Sequence, residues 1–114
     1  MRFNLDLPSY DNLSAQDMAT RIGLNVKHIP ILVQSFQDEG RGILRKLDSA
    51  IQAKSYKDIS IQAHSLKGSS GNLKFNELYE LTKVMEISAK EKNEDFPYSD
   101  AFISIKKAIK SISF

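Results

Sequence analysis

Apolar residues along the chain recur mostly three or four positions apart, and alternating stretches that would suit a strand are short and isolated. That spacing predicts an all-α protein. The first twelve residues read as an extended arm. A short helix follows, in which Ser14 can cap the start, Asp17 stands three residues on as a capping-box relative, and Leu13 can staple against Met18. Gly23 stops it, Leu24 can fold back over the stop, and Asn25 is placed to cap the next helix. Pro30 suits only a first turn, which pulls that helix's start toward Ile29. Ile29, Leu32, Val33 and Phe36 make one apolar stripe and Ile43, Leu44, Leu47 and Ile51 another. Gly40 and Gly42 lie between the two and predict a bend or break.

A further helix is expected from about Tyr56 to about Leu73. Another starts at Asn76, with Leu78, Leu81, Met85 and Ser88 on its inner face. The polar connection KEKNEDFPYS contains Asn93, Asp95 and Pro97, all of which oppose a continuous helix. The last helix therefore begins near Pro97 and buries Phe102, Ile105, Ile109 and Ile112. Long amphipathic helices joined by short connections predict an antiparallel up-and-down four-helix bundle, preceded by one or two short helices. Residues 1–13 form the arm and 14–114 the bundle domain. No internal repeat or low-complexity tract competes with this division.

Composition narrows the chemistry. A chain of 114 residues that is 41% hydrophobic can build one core but not two. Sixteen Lys and Arg against fourteen Asp and Glu give a net charge of +2, too little for a chain-wide cationic field, so no nucleic-acid partner is expected. The absence of Cys removes disulfides, thiolate nucleophiles and Cys-based metal sites, and His28 and His64 are too far apart in sequence for a local metal pair. His28, near a helix start beside Pro30, is assigned no role. No apolar run nears the roughly 20 residues needed to span a bilayer, and the opening MRFNLDLPSY is too polar for a signal core. A cytoplasmic protein without membrane insertion is the expectation.

The segment AHSLKGSSGN, residues 63–72, is pulled two ways. Its Gly and Ser favour a loop, and each interior Gly costs a helix about 1 kcal/mol relative to Ala. Yet at about 100° per residue, Ile59, Ala63, Leu66, Ser70 and Leu73 share one stripe, which carries the helix through. His64 then points to solvent. Around it fall Ser60, Lys67, Gly68 and Gly71, with Ile61 and Phe75 at or near the edge of the exposed face. Small residues beside an outward imidazole let another protein's loops approach, and Lys67 can set an ammonium against an anion on the ring. A solvent-exposed imidazole offers a free nitrogen lone pair for attack at phosphorus.

Here the sequence resembles the histidine-containing phosphotransfer, or HPt, domains of multistep phosphorelays. The match is His64-Ser65-Leu66-Lys67-Gly68-Ser69-Ser70 followed by Asn72-Leu73, against the family pattern HSLKGSS-(A/G)-NLG, and family-like character extends over about residues 17–91. RIGLN at 21–25, LVQSF at 32–36, Leu44, Leu47, Ala50, Leu78, Leu81 and Glu86 carry it outward.

The resemblance implies that His64 is the phosphoacceptor through Nε2, that Lys67 contacts the phosphoryl oxygens, and that Gly68 leaves room for them. It implies receiver domains of response regulators or hybrid histidine kinases as partners, and the helical wheel around His64 offers Ser60, Ile61, Gly71 and Phe75 as the residues that meet them. It also implies a domain that binds no ATP and needs no cofactor of its own, since the receiver brings Mg²⁺; a bundle that buries its core without a partner is expected to be a monomer. Lys74 and Phe75 stand where the family has Gly and a small residue, so the end of the motif helix is expected to differ in shape or partner contact. Two other readings remain open: an adaptor that binds a receiver without carrying phosphate, and an enzyme whose GSSGN segment cradles a nucleotide phosphate. The second has neither the spacing of a Walker loop nor a preceding strand.

Overall fold

A computed structural model describes residues 3–114. Among these the chain forms five α-helices and no strand: α1 Ala15–Ile22, α2 Ile29–Gln52, α3 Tyr56–Asn72, α4 Asn76–Lys90 and α5 Tyr98–Ser111, with a single 3₁₀ turn, Val26–His28, ahead of α2. Each long helix packs on the next in sequence, and α5 closes the ring against α2. The three long-helix connections are short, which makes neighbours antiparallel. Among the described residues no helix is long and apolar enough to cross a membrane.

The expected caps form. Ser14 accepts the Asp17 N–H, Gly23 ends α1 with φ +84°, and Asn25 accepts the Lys27 N–H. Pro30 falls in the first turn of α2, which begins at Ile29.

The expected bend at Gly40 and Gly42 does not occur: α2 is one continuous helix of 24 residues. Its buried positions, Ile29, Val33, Phe36, Gly40, Ile43, Leu44, Leu47 and Ala50, keep three-or-four spacing straight through the glycines. Burying each of the large side chains is worth roughly 1.5–3 kcal/mol, which outweighs the propensity loss of about 1 kcal/mol per Gly. Gly40 itself lies in the seam with α5, facing Ile109. Leu32, assigned to the inner stripe, is instead 37% exposed.

The arm is tied to the end of the bundle where α4 starts and α5 stops. Tyr10 is buried, and its hydroxyl accepts the Leu78 N–H at the start of α4 while donating to Glu77. Burial, with Glu77 beside it, pushes this phenol well above its ordinary range. The Leu13 N–H donates to the Ser113 carbonyl and the Ser113 N–H to the Tyr10 carbonyl, so arm and C-terminal tail pair side by side.

Helices α2, α3 and α4 end alike. Lys54, Lys74 and Lys92 adopt φ of +53°, +63° and +53°, and the N–H of the residue after each returns to a carbonyl five residues back. This is the double bond of a Schellman stop, a position that favours glycine. The departure expected at Lys74 is therefore one of residue type, while the backbone keeps the shape that glycine would take. Lys74→Gly should stabilise the domain by about 1 kcal/mol, because an L side chain is strained there; an unchanged denaturant midpoint would contradict this.

Candidate functional site

Helix α3 starts on Ser55, whose hydroxyl accepts the Asp58 N–H and donates to the Asp58 carboxylate. Its rotation is set by Ile59, Ala63, Leu66 and Ser70, all buried against the rest of the bundle. The Ser70 hydroxyl donates to the Leu66 carbonyl, so this buried polar group is satisfied inside its own helix and the helix runs on through Gly68 and Gly71. With that face inward, the His64 side chain is 66% exposed.

Opposite His64, α4 contributes Glu86, whose side chain is 3% exposed. One carboxylate oxygen, Oε2, lies 2.9 Å from His64 Nδ1 and 2.9 Å from Lys90 Nζ, and Oε1 lies 2.6 Å from Lys67 Nζ. Burial, the largest influence, pushes the Glu86 carboxyl up, but hydrogen bonds from Lys67, Lys90 and His64 more than offset it and hold it at about 2, against an ordinary 4.5. At neutral pH it is an ionised acceptor. The proton on the bond to His64 must then sit on Nδ1, which leaves the lone pair of a neutral ring on Nε2. Two ammonium groups and one carboxylate leave one net positive charge beside that nitrogen, an electrostatic setting that favours an incoming phosphoryl group.

The residues expected around His64 divide. Ile61 is exposed at 48% and Ser60 is half-buried, its hydroxyl donating to the Lys57 carbonyl. Gly68 faces open space, with nothing within 4 Å of where a Cβ would stand. Lys67 is close to the ring but less free than the helical wheel suggested, 24% exposed and bound to Glu86.

Two expectations fail. Phe75 is not an exposed rim residue but part of the core, its ring 4.7 Å from that of Tyr10 and 5.6 Å from that of Phe36. The helical rotation that placed it outside stops at Asn72, and the Schellman turn swings position 75 inward. Gly71 is half-buried and faces α4, where an added Cβ would stand 3.1 Å from the Tyr79 ring. Its smallness serves helix packing and not access for a partner.

Glu86 and Lys90 are site residues that periodicity alone passed over. Glu86 had a signal: it interrupts the buried stripe Leu78, Thr82, Met85 and Ala89 with a charge, and a carboxylate on an inner face requires partners. Lys90, four residues on, is one of them.

Gly68 and Gly71 thus separate by experiment. Gly68→Ala meets no atom, so it should raise the melting midpoint by about 4 °C, near 1 kcal/mol of helix propensity. Gly71→Ala must displace Tyr79 and should gain less. Equal gains in thermal melts would contradict this difference.

Comparison with curated proteins and with solved structures gave no match. A family model described as Hpt domain matches residues 31–111, a span that includes the whole of α3 and α4 and with them His64, Lys67, Glu86 and Lys90. On a match covering most of its 114 residues, the chain belongs to the Hpt domain family.

Proposed function

We propose that this chain carries a phosphoryl group between two receivers on His64 Nε2, since Hpt domains are phosphocarrier modules of two-component phosphorelays that interact with receiver domains and are not ATP-dependent kinases. The observation that supports it best is the bond between His64 Nδ1 and the buried, ionised Glu86, which engages Nδ1 and turns Nε2 outward.

In the forward step the Nε2 lone pair attacks the phosphorus of a receiver's aspartyl phosphate. The N–P bond forms as the P–O bond breaks, and the receiver recovers its carboxylate. Nδ1 keeps its proton throughout, so the phosphorylated ring is cationic and donates to Glu86, which stabilises the charge as it develops. Lys67 and Lys90 offset the phosphoryl oxygens' charge, and Gly68 keeps the approach clear. The reverse step on a second receiver breaks the N–P bond and forms a new P–O bond.

The chain acts as a monomer in the cytoplasm and needs no cofactor, with Mg²⁺ held by the receiver. Ser60 and Ile61 meet the docked receiver beside His64. The test is a panel of prephosphorylated receivers mixed with the chain for short times. Label should move to the chain from at least one receiver and onward to another, and labelled ATP should give none. Receiver binding without label transfer would instead fit the adaptor reading.

A further inference from the structure

Because the ring of helices runs α2, α3, α4, α5, the edge between α5 and α2 lies across the bundle from the α3–α4 edge that holds His64. A groove of about 400 Å³ runs along it. Its floor is apolar, made by Leu44 and Ile109, both buried, and the half-buried Phe102. Arg41 and Arg45 line it from α2 and Lys106 and Lys110 from α5, so each wall carries two cations four residues apart. Asp48 is the one carboxylate among the lining residues. Among the described residues Arg45, Lys106 and Lys110 pair with no acid, while Arg41 pairs with Asp38. A chain of net charge +2 therefore gathers four cations along one apolar trough that the His64 chemistry does not use.

The trough is preformed. The Gln37 amide donates to the carbonyls of Ile109 and Ile112, at 3.2 and 3.3 Å, and pins the end of α5 to α2.

We propose that this groove docks an amphipathic helix with acidic flanks, presented by a protein partner. Apolar side chains at i, i+3 or i+4, and i+7 would lie on Leu44, Phe102 and Ile109, and carboxylates on the two sides would meet the unpaired Arg45 on α2 and Lys106 and Lys110 on α5. Charge along both long edges distinguishes this occupant from a single-headed amphiphile, which needs cations at one end only. The lined stretches, residues 37–48 of α2 and 102–110 of α5, are about 18 and about 14 Å long at 1.5 Å per residue, enough for two turns of a docked helix. Since this edge lies opposite His64, such a partner and a receiver can be bound together.

The test titrates the ¹⁵N-labelled full chain with a synthetic 18-residue helix that carries leucines at i, i+3, i+4 and i+7 and glutamates on both flanks. The same peptide with lysine flanks and dodecyl phosphate serve as comparisons. The glutamate peptide should shift amides within 37–48 and 102–110 and bind at least tenfold more tightly than the lysine peptide. The double variant Arg45→Glu, Lys106→Glu should reverse that preference while phosphoryl uptake at His64 is unchanged. If circular dichroism shows that variant unfolded, Lys106→Ala with Lys110→Ala should still weaken the glutamate peptide about tenfold. Equal binding of the two peptides, no binding, shifts centred elsewhere, or tighter seating of dodecyl phosphate would overturn the proposal.

Discussion

His64→Gln should take up no phosphoryl group from any receiver while staying folded, its stability lowered by no more than about 3 kcal/mol, the upper worth of the one hydrogen bond to the charged Glu86 that it loses. The side chain is two-thirds in water, so its removal leaves no cavity, and the buried face of α3 that sets the helix is untouched. A glutamine amide has no nucleophilic lone pair to offer phosphorus. Label counted after short incubation with a phosphorylated receiver, together with far-ultraviolet circular dichroism, checks both halves. Acid-labile phosphate on the variant would refute the role of His64.

Glu86→Gln should show the next largest effect, and in two properties at once. In the folded chain the Glu86 carboxyl is depressed to about 2 from 4.5, so its contribution to stability is complete above about pH 4.5 and is lost as pH falls toward 2. The linkage is worth at most about 3 kcal/mol. The glutamine variant should therefore be less stable than the wild type by about 2–3 kcal/mol at pH 7, and the two should converge by about pH 2. Urea melts across that range test it, and a difference that persists undiminished at pH 2 would contradict it. Phosphoryl uptake should fall about tenfold or more, because a neutral amide neither fixes the Nδ1 proton as firmly nor stabilises the cationic ring.

How far the sequence revealed this molecule depends on which physical scale decided each feature. The helices were legible because apolar spacing is a direct consequence of helical geometry, and α3 could be carried through its glycines on Ile59, Ala63, Leu66 and Ser70. Gly40 misled because local propensity favours a break, whereas the packing of Ile109 against α2 comes from residues about seventy positions away. Tyr10 and Phe96 join the core from segments with no periodicity, which pattern reading cannot register. At the site, His64, Lys67 and Gly68 lie on one contiguous motif and could be read together. Phe75 could not be placed without knowing where the helix stops. Glu86 and Lys90 reach His64 from another helix, and no local spacing links them to it.

The account stands on one nitrogen, presented outward because its ring partner is held by a buried carboxylate. The most direct measurement is nuclear magnetic resonance of the wild-type chain after phosphorylation by a receiver, using ¹⁵N-labelled histidine and phosphorus detection. Phosphorus should couple to Nε2 of His64, with Nδ1 still protonated. Phosphorus on Nδ1, on His28 or on another residue type would contradict it.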